Sequence, residues 1–271
     1  MGSPRLPAAV LAAAADRQGG ALEVAATALD GLLEVAADRE RLEEAVAVLE
    51  AGQPAMAPIW HLAAAARSPD PPSALAALRV SLTADADAAV DAATAWLLDR
   101  LAAHPGGGHP GGMATVSHSS LVDRVLGRVA EARESPTAQI ARESPTPRIA
   151  QESPTPRIVG PRPRHGRVAR RRDQGAGLST GPVVGVVGAD AIGPEALLNA
   201  DGTRELAERL PTLVVATVVK LVPGEVFGRL GADGFEVVPL EALAAVVVGD
   251  EVLSPAEAGR RAADLAAGPA G

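Results

Sequence analysis

Only four aromatic side chains occur in 271 residues, Trp60, Trp96, Phe227 and Phe235, and there is neither Tyr nor Cys. That shortage limits the core this chain can build. Apolar residues still make up 47% of the sequence, so the interior must be assembled from Ala, Val and Leu. A surface of stacked aromatics that reads RNA is excluded. Disulfides, thiolate metal sites and cysteine nucleophiles are excluded as well. The net charge of −8 argues against a chain that binds nucleic acid as a whole, though not against a local basic patch. Met1-Gly2-Ser3-Pro4-Arg5 leads into Ala-rich sequence without the charged start and apolar stretch of a signal peptide. No run of 18 apolar residues occurs, so no membrane span is expected and the chain reads as cytoplasmic.

Three compositional blocks follow one another. Residues 1–103 carry helical periodicity. Leu42, Val46 and Leu49 form one apolar stripe, and Val90, Ala93, Leu97 and Leu101 form another in a helix opened by Asp85 and Asp87. Breaks are expected at Gly19-Gly20, at Gly52-Gln53-Pro54 and at Ser68-Pro69-Asp70-Pro71-Pro72. These are the marks of a helical bundle that ends in the Gly-Pro loop after His104, giving a helical domain over 1–112.

From residue 113 the pattern changes. Met113 to Val116 reads as a short buried strand, with a helix from Ser119 to about Glu131. Val183 to Gly188, Leu213 to Val219 and Ala244 to Val248 are continuous apolar runs, with a helical pattern from about Thr203 between them. Such runs indicate a parallel sheet buried on both faces. The fold class expected is therefore α+α/β, an N-terminal helical bundle followed by a Rossmann-like domain over 113–271. The glycines of 181–188 lie within the apolar run rather than after it, so they are not a dinucleotide fingerprint.

Residues 132–176 fit neither pattern. Ala132–Ile140, Ala141–Ile149 and Ala150–Ile158 repeat a nine-residue unit containing Glu-Ser-Pro-Thr. With ten Arg against four acids, seven prolines and no aromatic residue, the interval reads as a low-complexity, disordered insert. Arg162 to Arg172 is its candidate contact for RNA phosphates, and the Ser-Pro and Thr-Pro pairs are candidate phosphorylation sites. A tandem expansion or a shifted reading frame would also produce such a peptide.

Five short stretches, in order, resemble the alpha, beta and delta subunits of translation initiation factor 2B and their sugar-phosphate isomerase relatives. Asp16-Arg17-Gln18-Gly19-Gly20-Ala21 resembles the family's early D-x-x-x-G-A turn. Gln53-Pro54-Ala55-Met56-Ala57-Pro58-Ile59-Trp60 is similar to its R-P-(S/T)-x-x-x-(I/L)-W element. Thr115-Val116-Ser117-His118-Ser119-Ser120 resembles T-x-S-x-S-S. Gly188-Ala189-Asp190-Ala191-Ile192 and Asn199-Ala200-Asp201-Gly202-Thr203 resemble G-A-D-(A/R)-I and N-K-x-G-T. The resemblance implies the two-domain fold already read from periodicity, with pairing to a second copy or to related subunits through the C-terminal domain. It also implies a sugar-phosphate or nucleotide pocket between the domains. In the family, the interval 132–176 carries strand-helix units, so their loss would leave the sheet without central strands.

The same resemblance supplies candidate site residues. Asp190 stands at the position of the isomerases' proton-transferring Asp, and Ser117 at the position of their Cys. Gly20, Ala21, Gln53, Ser119, Ser120, Gly188 and Asn199 are the expected ligand-binding positions, with Gly188 letting a ligand approach the backbone. The family's phosphate-holding cations are replaced by Gly19, Gln53 and Ala200, and a hydroxyl titrates far above a thiol. The resemblance therefore favours a non-catalytic binding module of initiation-factor type over an aldose-ketose isomerase. Asp190 read by itself is equally an ordinary cap after a strand. Ser117-His118 does not make a nucleophilic pair, and His104, His109 and His118 do not make a metal site. No metal or cofactor is called for.

Overall fold

The computed structural model describes residues 5–103, 112–117, 119–134 and 182–265. The repeat from residue 135 onward, the arginine run of 162–172 and the three histidines at 104, 109 and 118 lie outside the described residues.

Five helices form the N-terminal half: α1 (Ala8–Ala15), α2 (Ala21–Val35), α3 (Arg39–Gly52), α4 (Ala57–Ala66) and α5 (Pro71–Ala102). Their starts follow from local chemistry. The Asp38 carboxylate accepts from Arg41 N–H at 3.3 Å and opens α3, and Asp70 accepts from Ser73 N–H at 3.3 Å ahead of Pro71-Pro72 and opens α5. Leu29, Leu32, Leu42, Leu49, Leu62 and Leu75 are fully buried where these helices meet. Small Ala side chains around them allow close approach, which is how a core short of aromatics reaches interior density.

The expected helix start at Asp85 is not observed. α5 runs unbroken for 32 residues, about 48 Å at 1.5 Å per residue. Neither Gly nor Pro occurs between Ser73 and Ala103, and the Ala-rich sequence has high helix propensity throughout. The acidic residues serve tertiary contacts instead. Asp87 pairs with Arg124 and Asp91 with Arg128 of α6 (Ser120–Glu134), while Asp85 Oδ2 accepts from Val218 N–H at 2.7 Å.

In the C-terminal half, β1 (Gly112–Ala114), β2 (Pro182–Val187), β5 (Thr212–Ala216) and β7 (Ala245–Val248) are successive parallel neighbours. β8 (Glu251–Leu253) adds antiparallel to β7. The apolar runs are buried on both faces. Val184, Val186, Leu213, Val215, Ala245 and Val247 pack against α6 and the second half of α5. The alternate residues Val187, Val214, Ala216, Val246 and Val248 pack on the other side, with Ala258 and Ala262 of α9 (Pro255–Asp264). A second, antiparallel sheet of β3 (Ala191–Ile192), β4 (Ala196–Ala200) and β6 (Phe235–Pro239) lies beside that face. Periodicity alone did not indicate these short strands. Two short helices, α7 (Thr203–Arg209) and α8 (Gly224–Phe227), complete the half.

One expectation about the middle interval is corrected. Residues 132–134 belong to α6, where half-buried Ala132 follows Val129 at helical spacing. β1 bonds directly to β2, and the strand-helix units expected between them fall in 135–181, outside the described residues.

The halves interlock. The first half of α5 joins the helical core through Leu75, and its second half joins the sheet core through Val90, Ala93 and Leu97. Across the junction, Ala57 N–H donates to Asp190 O at 3.0 Å, supplying one of the partners that the start of α4 lacks. His61 Nε2 lies 2.8 Å from Leu221 O. Trp60, Phe227 and Phe235 pack around Ala57, Leu198 and Val222 at the same junction. Leu97→Ala should cost about 2–5 kcal/mol. Urea unfolding followed by Trp fluorescence and by circular dichroism should still coincide in one transition, because one helix serves both cores. Two separated transitions would contradict that coupling.

Candidate functional site

β1 and β2 are adjacent in the sheet, and the chain leaves them in opposite directions. After β1 it enters α6 on one face; after β2 it enters β3, β4 and α7 on the other. Side chains beyond the C-terminal ends of two such strands border a crevice where the sheet opens, the general location of ligand sites in α/β sheets. Ser117 follows β1, and Gly188 to Asp190 follow β2. A cleft of about 670 Å³ lies there, closed on its far side by the Asp16–Ala21 loop and by Gln53 of the helical half.

Its walls are held by backbone chemistry. Ser117 Oγ accepts from Ser119 N–H at 3.1 Å and from Gly188 N–H at 3.2 Å, tying the ends of β1 and β2 together. Gly188 is required by this close approach: a Cβ there would lie 2.8 Å from Ser119 Cβ and 3.2 Å from Ser117 Oγ. What comes close to the Gly188 backbone is thus the serine loop, not only a ligand. Gln53 is buried, and its Nε2 donates to Ala13 O and Asp16 O, both at 2.7 Å. That amide holds the end of α1 rather than replacing an arginine's charge. Asn199 Nδ2 donates to Thr203 Oγ1 at 2.9 Å, which in turn donates to Ala200 O at 2.8 Å. Together with Gly202 in the left-handed region at φ 98°, these bonds close the turn into α7.

All nine sequence-derived positions, Gly20, Ala21, Gln53, Ser117, Ser119, Ser120, Gly188, Asp190 and Asn199, border this one cleft. Three of them, Gln53, Ser117 and Asn199, have side chains engaged in bonds to the protein itself. The Asp190 carboxylate does not cap a following segment, because it accepts no hydrogen bond from any described residue. It faces the cleft.

Two cations of the cleft were missed from the sequence. Arg17 lies in the loop before α2, its guanidinium donating to Ala14 O at 2.8 Å and Asp16 O at 2.9 Å. Lys220 ends the short 3-10 turn Val218–Lys220 after β5, where the apolar run to Val219 was read as continuous strand. Lys220 is only 4% exposed, and its amine has no hydrogen bond or ion pair within 4.0 Å among the described residues. One signal was available: it is the chain's only lysine.

Burial governs the titration of both groups. Desolvation lowers the Lys220 amine to about 8, opposed by the charge of Asp190. Desolvation raises the Asp190 carboxyl, opposed by Lys220. At the rim, the exposed Asp16 carboxylate accepts from Gly19 and Gln18 N–H and is held below its usual range by those bonds. The cleft therefore carries carboxyls at 16, 190 and 233 against cations at 17 and 220, with Asp190 shifted toward neutrality. The N-terminal turns of α2 and α6 also border it through Gly20, Ala21, Ser119 and Ser120, adding N–H donors and the positive ends of two helix dipoles. Among the described residues no cluster of three or more His, Asp or Glu could hold a metal ion, and no helix is long and apolar enough to cross a membrane.

No protein-family model matches the chain, and no curated protein matches it in sequence. Solved structures match it along most of its length. The translation initiation factor eIF-2B of Pyrococcus horikoshii OT3 has a TM-score of 0.60 at 15% identity, over 92% of this chain and 96% of that one. The tetrameric eIF2B-beta2-delta2 complex of C. thermophilum gives 0.54 at 11% identity, over 90% and 92%. The 5-methylthioribose 1-phosphate isomerase of P. horikoshii OT3 gives 0.52 at 14% identity, over 94% and 86%. The chain has their fold. The order of the five short sequence stretches is thus matched by an independent likeness in three dimensions, and both a factor subunit and an isomerase stand among its neighbours.

The Lys220 shift has a consequence for stability. Between pH 8 and 10.5 the unfolded chain holds a proton on this amine that the folded chain has released, so its contribution to stability rises with pH across that window. Below pH 8 both states are protonated and the burial penalty is fully present. Urea titrations at pH 7.5 and 10 should show wild type gaining stability relative to Lys220→Met. Parallel profiles of the two proteins would contradict the assignment.

Proposed function

We propose that the chain is an initiation factor 2B-like binding module whose cleft accepts a phosphorylated sugar or nucleotide and does not turn it over. The observation that carries this reading is the state of Ser117. At the position where the isomerases of the family use a thiol, the hydroxyl already accepts two backbone N–H groups and stitches β1 to β2. It retains one hydrogen to donate to a ligand, but a hydroxyl is a poor proton shuttle near neutral pH. The α2 and α6 N-termini, Arg17 and Lys220 favour an anionic group. Ser119, Ser120 and the carboxyl of Asp190 suit sugar hydroxyls.

A second reading has one specific observation in its favour. Asp190 and Lys220 line the cleft without a side-chain hydrogen bond to any described residue, and burial pushes their titration toward the neutral range, where acid and base are both available. On that reading the protein is an aldose-ketose isomerase with Asp190 moving the proton. Association through the α/β half, with a second copy or a related subunit, is part of the same proposal. It is supported by the assembled C. thermophilum neighbour and by half-exposed Val237 and Val252 on edge strands β6 and β8. Light scattering should give twice the 27.3 kDa chain mass, and a monomer across the micromolar range would remove this part.

The test is a panel of aldose 1-phosphates and nucleotides. A ligand at about a hundredfold over its Kd should raise Tm by about 5–10 °C with no product formed. Turnover that Asp190→Asn abolishes would replace the binding reading with the isomerase. No stabilisation anywhere in the panel would remove the pocket.

A further inference from the structure

Arginine fills every basic position of this chain except residue 220. That exception is 4% exposed and lines the cleft with Asp190, its amine within electrostatic reach of that carboxyl but without a hydrogen bond or close ion pair to any described residue. A guanidinium would serve a purely electrostatic role as well or better, because it stays charged and holds phosphate in a rigid fork. Lysine differs in having a lone pair to release. A buried amine and a neighbouring carboxyl, neither with a hydrogen bond to a described residue, suit a nucleophile and a proton donor.

We propose that Lys220 binds its ligand covalently, its amine condensing with the aldehyde of a small phosphorylated aldehyde or open-chain sugar to form an imine in the cleft. The inference rests on the phosphorylated-ligand reading given above. The nitrogen lone pair attacks the aldehyde carbon, and the carbonyl oxygen takes up the proton that the nitrogen loses, giving a carbinolamine. The Asp190 carboxyl then donates its proton to that hydroxyl. The hydroxyl leaves as water while the nitrogen lone pair forms the C=N bond. The products are an iminium cation, a carboxylate facing it, and one water. No oxidant or reductant is needed, and addition of water reverses the step.

Several features of the cleft suit this chemistry. Burial leaves roughly a tenth of the Lys220 amine neutral at pH 7, far more than for an exposed lysine. The same burial keeps the Asp190 carboxyl protonated to higher pH than usual, which suits its role as donor. Ser119 and Ser120 stand within the same walls as hydroxyl partners for a polyol, and the α2 and α6 N-termini as partners for its phosphate.

The experiment uses the full chain with erythrose 4-phosphate and cyanoborohydride, which reduces an iminium to a stable secondary amine. Peptide mass spectrometry locates the adduct, and the single lysine leaves only the chain's α-amine as a competing site. Labelling of Lys220 at least about tenfold faster with erythrose 4-phosphate than with erythrose is the expected result, the phosphate supplying the orientation. Equal rates with the two aldehydes would keep the imine and remove the phosphate reading. Thermal stabilisation by erythrose 4-phosphate with label only on the α-amine would overturn the imine and leave the phosphate reading intact. Neither stabilisation nor Lys220 label would overturn both. Lys220→Arg should lose the adduct, because a guanidinium has no lone pair to release. Asp190→Asn should slow labelling, and unchanged labelling in that variant would overturn the donor role of Asp190.

Discussion

The hydrogen bond from Gly188 N–H to Ser117 Oγ is the contact on which the cleft depends. It joins the loops that follow two neighbouring parallel strands whose chains depart to opposite faces of the sheet. The divergence opens the crevice; the bond fixes its width. A side chain at 188 would force the serine loop away, and an apolar residue at 117 would leave two N–H groups without an acceptor. A hydroxyl at 117 is therefore built into the architecture of the cleft.

A second constraint sets the other wall. The helical half is not a separate body placed against the sheet. α5 supplies apolar residues to both cores, and Asp190 contributes to both sides of the junction, its carbonyl accepting from the start of α4 while its carboxyl faces the cleft. With so few aromatic side chains, the interior relies on close aliphatic contact; three of the aromatics gather at the junction, and Trp96 projects from α5 against the sheet-side core. The distance from the α2 N-terminus to the ends of β1 and β2 is thereby held by packing and hydrogen bonds together.

The parts legible in the sequence were those with strong local signals. The Val-rich runs marked β2, β5 and β7, and the Gly and Pro breaks marked the helix ends in the first half. The nine candidate site positions were reached through short stretches of family-like sequence, and they converge. Less legible were features set by tertiary contact. Asp85 and Asp87 look like a helix start but cross-link an existing helix, because nothing before them breaks it. The strands of the second sheet are too short and too dependent on each other for periodicity to show. Lys220 was hidden because the chain turns after Ala216, and an apolar sequence does not reveal where a strand stops and a 3-10 turn begins.

The cleft at this switch point holds a buried amine, and the proposed phosphorylated ligand would meet it there. With one lysine in the chain, ¹³Cε-lysine labelling gives a single side-chain NMR signal. The account predicts that this signal titrates near pH 8 in the free protein and shifts when a phosphorylated sugar is added. A signal that titrates near 10.5 and does not respond to any phosphorylated ligand would contradict it.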